Sequence, residues 1–400
     1  MRGWVAQSVE QGTENPRVRG SIPFPATIFF LFTCKKDRMN THTSARTSAC
    51  ATFSPCTSYT SYLQSIAQYP AICNAELLVM QPVLHTKIWG GHQIEQEFGY
   101  DVPAGKIGEA WVIGAHPAGD CVLASGPYAA HTLSHVYAEH PELFGDSTNP
   151  AQPQPATFPL LVKIIDAHDD LSIQVHPNDE YAALHENGSR GKSECWYVLK
   201  AEPGATIIVG QHAQTKEAFA RAVREGAWSE LLYEVPVHEG DFFQIEPGRV
   251  HAIKNGTLLL ETQQSSDITY RVYDYDRKQD DGTLRTLHMK QSLDTIDFTL
   301  ENPTSGSIPA GNVVYTPDGT CSETTLITSP FYTVKRLILT QQHTLTLQKS
   351  WPFLCVSVVR GSGTIQGVPV IAGTHMILTA RASQLACCGD MCVIVSHIPC

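Results

Sequence analysis

The sequence predicts a mainly β protein, a sandwich or barrel with only a few helices. Three observations lead there. From Met80 onward, short apolar runs recur between Gly- and Pro-containing turns. Where these runs mix polar and apolar residues, they alternate with a period of two, as strands do. No regular succession of strand and helix appears, although a doubly wound sheet would need one.

Residues 1–79 differ in kind. Thr41–Ser65 is nearly half Ser and Thr and contains no acid. The apolar cluster Ile28–Phe32 closely follows Pro23 and Pro25 and is a poor signal-peptide core, because it starts late and no small-residue cleavage site follows. Lys35–Ser65 carries a single acid, Asp37, a composition that also suits a transit peptide. The plainer expectation is a disordered or spurious upstream extension, with the working chain beginning near Met80.

The strands then follow in order. Phe158–Ile165 is apolar except for Lys163. In Leu171–His176, the residues Leu171, Ile173 and Val175 face one way and Ser172, Gln174 and His176 the other. Cys195–Leu199, Thr206–Val209, Asp241–Ile245 and Thr257–Glu261 continue the series. Thr132–His140 and Asp179–Glu186 read as short helices. Thr215–Arg224 is the best helix, with Thr215 as N-cap and Phe219, Ala222 and Val223 as its buried stripe. Asn302–Gly311 is rich in Pro, Ser and Gly and reads as a linker. Beyond it, Tyr332–Leu339, His343–Gln348, Leu354–Val359 and Gly363–Ile365 form a second strand series. The expected organisation is an extension (1–79), a larger domain (80–301) and a smaller all-β domain (312–400).

Composition limits the function. The 400 residues are 42% hydrophobic and 17% charged, enough for a packed core. The net charge of −11 argues against a nucleic-acid binder, which usually carries a basic footprint. No run of 18 apolar residues exists, so no membrane-spanning helix is expected. Twelve Cys are scattered without a CxxC pair, against a zinc ribbon or thioredoxin motif. Reduced thiols and a cytoplasmic location are expected.

The informative residues lie in three segments. Alternation places Gln174 and His176 on one face of one strand. Glu194 follows eighteen residues after His176. In Gly240–Asn255, Pro247-Gly248 suits a tight turn, after which His251 enters the next strand. If these strands line one barrel, Gln174, His176, Glu194 and His251 converge inside it. Such nitrogen and oxygen ligands suit Zn²⁺, with other divalent ions left open. A lone His176 would read as structural; the set at these spacings reads as a ligand set. Gln174 is its weakest member, since an amide is an uncommon zinc ligand and can instead contact a bound water.

This arrangement resembles the cupin metal site. Gly240, the turn at Gly248, His251 and Asn255 follow the second cupin motif, with Glu246 where cupins usually carry Pro. Gln174 stands where many cupins have a first His. That departure is similar to the type I phosphomannose isomerase superfamily, which uses Gln-x-His-Pro followed by Lys-x-Glu. Here those are Gln174-Val175-His176-Pro177 and Lys192-Ser193-Glu194. Further matching segments are Lys87–Gly91, Gly108–Trp111, Leu161–Ala167, Glu261–Asp267 and Thr269–Asp274. The chain thus resembles the short bacterial form of this family over nearly all of residues 80–300. The second domain matches only in its β-rich character and lacks a Gln-x-His…Glu…His set.

The resemblance implies a cupin barrel (a double-stranded β-helix or jelly roll) with a smaller cupin-like β domain lacking a metal. It implies one Zn²⁺ per chain and interconversion of mannose 6-phosphate and fructose 6-phosphate through a cis-enediol(ate). It implies a substrate role for Lys192, an acid/base role for Glu261 and an active-site role for Arg271. Each has a plainer alternative: a solvated turn lysine, an exposed carboxylate at the end of an apolar run, and a surface ion pair. Aldose–ketose isomerisation needs a base for a carbon-bound proton, stabilisation of charge developing on oxygen, and a cation for phosphate. These residues supply that inventory, and Glu261, Lys192 and a metal-bound water all stay open as the base. His116, His131, His135, His140 and His185 have no paired spacing and read as structural. Lys163 and Asp166 read chiefly as barrel support. The rivals are a non-catalytic sugar-binding cupin and an Fe²⁺ cupin oxygenase, which would want more imidazole. The expected partner is a small sugar phosphate, with no nucleic acid or membrane, for a monomer or homodimer.

Overall fold

The structure is a computed structural model and describes residues 58–145, 155–279, 281–347 and 351–399. Among these residues, two short helices, α1 (Tyr59–Ile66) and α2 (Pro70–Cys73), precede strand β1 (Leu77–Gln81). Eleven later strands build a barrel: β2 (Val83–Gly91), β3 (Ile107–Ile113), β4 (Leu160–Ala167), β5 (Ile173–Val175), β6 (Glu194–Ala201), β7 (Thr206–Gln211), β8 (Leu232–Pro236), β9 (Phe242–Ile245), β10 (His251–Ile253), β11 (Thr257–Gln264) and β12 (Tyr270–Tyr273). One sheet runs β9-β6-β11-β4-β3-β2 and the other β8-β7-β10-β5-β12. Trp196, Ile165 and Leu259 of the first sheet pack against Ile207, Val209 and Ile253 of the second, closing the barrel core.

The longer sheet is covered on both faces, which is why β11 is buried throughout. Period-two alternation then sorts its side chains. Leu259 packs into the barrel, whereas Leu258 and Leu260 pack toward the second β unit. On β6, Trp196 and Val198 pack into the barrel and Cys195 and Tyr197 pack on the outer face. Glu194 and Glu261 share parity with the inward residues and therefore face the barrel.

The expected helix after Thr215 spans Lys216–Glu225. The Thr215 hydroxyl accepts from the Ala218 N–H at 3.2 Å, and Phe219 is fully buried. The second unit is a ten-stranded sheet centred on Leu354–Ile365 and Gln384–His397. Leu354–Val359 and Gly363–Ile365, expected as separate strands, are one continuous strand. No helix among the described residues is long and apolar enough to cross a membrane.

The expectation that residues 1–79 are a disordered or spurious extension needs correction over 58–79; residues 1–57 lie outside the described residues. Helix α1 is capped by the Ser58 hydroxyl and buries Tyr59, Tyr62, Leu63 and Ile66. Those four stand at i, i+3, i+4 and i+7, one helical face that the Ser/Thr-rich composition obscured. The Tyr59 hydroxyl donates to the Gly373 carbonyl at 2.7 Å and that of Tyr62 to the Pro369 carbonyl at 3.1 Å, both in the second unit. Strand β1 pairs antiparallel with His375–Leu378 of that unit. A boundary at Met80 would cut through β1, whose Leu77, Leu78, Val79 and Met80 are all buried.

Candidate metal centre and cavity

The barrel register brings the candidate ligands together. Gln174 on β5 lies directly opposite His251 on β10. His176 follows β5, and Glu194 opens β6. The turn before His251 forms as expected: Gly248 adopts φ 90°, and its N–H donates to the His176 carbonyl at 2.9 Å. A side chain at Gly248 would also collide with Asp297, whose Cβ would lie 2.9 Å away.

Hydrogen bonding fixes both imidazoles. His176 Nδ1 is 2.8 Å from the Ile268 carbonyl oxygen, and His251 Nδ1 is 2.8 Å from that of Arg249. A carbonyl only accepts, so each Nδ1 carries the proton and each Nε2 presents a lone pair. The two Nε2 atoms stand 3.1 Å apart, and each is 3.5 Å from a Glu194 carboxylate oxygen. Burial is the main cause holding both imidazoles below their usual pKa, to about 3 for His251, and Lys192 adds to it in each case. Neutral imidazoles with converging lone pairs and a carboxylate form a donor set suited to a divalent cation. Among the described residues, this trio is the one His/Cys/Asp/Glu group close enough to hold a metal. Gln174 completes the ring with its amide nitrogen 3.3 Å from His251 Nε2. Exchanging the nitrogen and oxygen of that amide would turn an acceptor toward the same point.

A cavity of about 370 Å³ opens above these groups, walled by Gln174, Lys192, Glu261 and Arg271. His176, Glu194 and His251 lie beneath it and are essentially inaccessible. Lys192 Nζ bonds Glu194, lies 3.3 Å from His176 Nε2 and 3.5 Å from Glu261 Oε1. Burial works against its charge, but Glu194 and Glu261 outweigh that and raise its pKa. Burial, reinforced by Glu194, raises the Glu261 carboxyl, while Lys192 and Lys163 oppose the rise. The Trp196 indole N–H lies 3.1 Å from both Glu194 Oε1 and Glu261 Oε2, which orients the two carboxylates together.

The structure thus gathers all seven residues singled out in the sequence: four around the convergence point and three on the cavity wall. Sequence reasoning missed others. Lys163, read as barrel support, lies 3.6 Å from Glu261 Oε1 and 4.8 Å over the Trp111 ring. Glu109 accepts from the Trp111 indole at 2.7 Å and pairs with Lys87 at 3.1 Å. Burial would raise the Glu109 carboxyl, but Lys163 and Lys87 prevail and lower it to about 2. The available signal for Lys163 was a lysine inside an apolar run, since a buried ammonium needs a partner. The wall carries five Lys and Arg side chains against three carboxylates, a positive cavity in an acidic chain.

Comparison with known proteins bears on this geometry. Residues 77–215 match the phosphomannose isomerase type I catalytic domain, and residues 322–398 match the mannose-6-phosphate isomerase cupin domain. The chain is 44% identical over 327 residues to mannose-6-phosphate isomerase of Streptococcus mutans serotype c, covering 81% of this chain and 98% of that one. It is 43% identical over 328 residues to mannose-6-phosphate isomerase ManA of Bacillus subtilis, covering 81% and 99%. A crystal structure of mannose 6-phosphate isomerase from Bacillus subtilis superposes with a TM-score of 0.74 at 35% identity, covering 80% and 99%. The apo enzyme from Salmonella typhimurium shares the fold at 15% identity, with a TM-score of 0.62 over 81% and 100% of the two chains.

Proposed function

Because this chain belongs to the type I phosphomannose isomerases, we propose that it interconverts mannose 6-phosphate and fructose 6-phosphate, using one Zn²⁺ per chain and a cis-enediol(ate). The observation that carries the metal is the pair of imidazole lone pairs 3.1 Å apart beside Glu194, with both Nδ1 protons committed to carbonyls. Gln174, His176, Glu194 and His251 would hold the ion. When bound, it supplies Lewis-acid stabilisation of charge developing on the substrate oxygens.

The chain's own residues do the rest. Glu261 Oε1 is buried, without a hydrogen-bond donor, at the cavity wall. In this reading it takes the proton from one carbon and returns it to the other. Lys192 carries a proton beside that oxygen and can donate toward the substrate. Arg271, with Arg285 nearby on the wall, offers planar donors to the phosphate or the enediolate. The positive wall suits a dianionic sugar phosphate. A cytoplasmic location and a monomeric or dimeric state belong to the same proposal.

The test is a coupled assay of the full chain with mannose 6-phosphate, before and after chelation and after readdition of Zn²⁺. Turnover lost on chelation and restored by zinc is expected. Undiminished turnover in protein shown by elemental analysis to be metal-free would remove the metal from the reaction. No turnover in metal-replete protein would reject the isomerase reading.

A further inference from the structure

A second cavity, about 570 Å³, lies between the barrel and the second β unit. It stands behind the catalytic cavity: Tyr197, on the outer face of β6, helps wall it, while Trp196 next in sequence points into the barrel. Its wall also includes Lys200 and Glu239 from the barrel, and Arg336, Arg360 and Cys392 from the second unit.

The charges there are not all matched. Lys200 Nζ pairs with Glu97 at 2.6 Å. Arg360 faces Glu239 across the domain gap at 3.7 Å, and both side chains are more than 60% exposed. An exposed pair at that distance contributes little and is easily exchanged. Arg336 has no carboxylate within ion-pair distance among the described residues, and its Nε is buried without an acceptor. The guanidinium is half-buried and shares a hydrogen bond with the Tyr197 hydroxyl, which leaves its Nε–H as the buried donor that calls for an acceptor. Beside Arg336 are the Tyr197 hydroxyl and the Cys392 sulfur, 3.9 Å apart. Burial raises the pKa of both, so both stay protonated and neither supplies a negative charge. The remaining wall includes apolar Phe98, Ile338 and Val359.

We propose that this interdomain cleft binds a small carboxylate-bearing metabolite with an apolar body, its carboxylate seated on Arg336 and its body against the apolar wall. One unmatched guanidinium fits one monoanion, and the planar fork of Arg matches a carboxylate in two parallel hydrogen bonds. Arg360 can turn from Glu239 to add a second contact. The site is distinct from the proposed phosphate-binding wall, which lies on the other side of the sheet.

Benzoate and its neutral isostere benzamide are the probes. Titration calorimetry uses the full, zinc-loaded chain with saturating inorganic phosphate added to compete for the proposed catalytic cavity. The expected result is one benzoate per chain and at least roughly tenfold weaker binding of benzamide. Arg336→Met should lose benzoate binding by a similar factor while keeping its melting temperature and isomerase turnover. If that variant fails to fold, Arg336→Lys keeps the charge without the fork and should still weaken benzoate. Equal binding of benzoate and benzamide, no benzoate binding to the wild-type chain, or undiminished binding in a folded Arg336 variant would each overturn the assignment.

Discussion

Lys163 and Glu261 are register partners on adjacent strands, and their Nζ and Oε1 atoms stand 3.6 Å apart at the cavity wall. Lys192 approaches the same oxygen at 3.5 Å, and neither contact has hydrogen-bond geometry. The Glu261 carboxyl is thus held between burial, which raises its pKa, and two ammonium groups, which lower it. As the proposed base, Glu261 must be ionised to act, so activity should fall as pH drops through its pKa. Lys163→Met removes one of the two positive charges and should raise that pKa further. The acidic limb of the kcat/KM profile should then move to higher pH, by about one pH unit. Glu261→Gln should lower kcat by at least about 10² with zinc content unchanged. An unmoved acidic limb in Lys163→Met would detach this limb from Glu261.

The imidazole pair makes a separate prediction. His251→Ala removes one of the two facing Nε2 atoms and leaves His176 and Glu194 a smaller donor set. Zinc occupancy and turnover should fall together, with metal affinity reduced by at least about tenfold. Both are measured on one sample by elemental analysis and the coupled assay. Full zinc content with unimpaired turnover would remove His251 from the ligand set.

The barrel was legible because its strands alternate, and the convergence of His176, Glu194 and His251 because the segments that carry them resemble the motifs of a known family. Two kinds of feature were not legible. Lys163 depends on cross-strand register, and register is set by pairing rather than by local pattern. Its opposition to Glu261 therefore appears only in three dimensions. Helix α1 was hidden for a different reason. Its Tyr59, Tyr62, Leu63 and Ile66 stripe lies among Ser and Thr residues of modest helix propensity, and the helix is fixed by tertiary contact with Gly373 and Pro369.

For Arg271 the sequence allows either an active-site role or a surface ion pair. Its Nη1 donates to the Thr286 carbonyl at 2.9 Å, and its Nε is buried without an acceptor. Among the described residues no carboxylate pairs with it, and it lies on the cavity wall. Arg271→Lys keeps the charge and loses the planar fork. The expected loss is roughly 2.7–4 kcal/mol of transition-state stabilisation, about 10²–10³ in rate, with zinc retained. Contact with the phosphate would show mainly in KM and contact with the reacting oxygens mainly in kcat. Near-wild-type values of both constants would return Arg271 to a structural role.

The N-terminal arm supplies the last prediction. A chain beginning at Ser58 keeps every contact described for α1 and β1, whereas one beginning at Met80 loses helix α1 and most of β1. The shorter chain loses Tyr59, Tyr62, Leu63, Ile66, Ile72, Leu77, Leu78 and Val79 from the core, each at most 5% exposed. Full burial of one such side chain is worth about 1.5–3 kcal/mol. Their joint loss also strips the partner from His375–Leu378 and exposes that strand edge to aggregation. The Met80 chain should therefore be insoluble or melt at least about 10 °C below the Ser58 chain. The proposed catalytic cavity lies in the barrel, so any soluble fraction should keep its KM for mannose 6-phosphate while its thermal inactivation accelerates. Equal melting temperatures for the two chains would show that α1 and β1 contribute nothing to the second unit and would restore Met80 as a natural boundary.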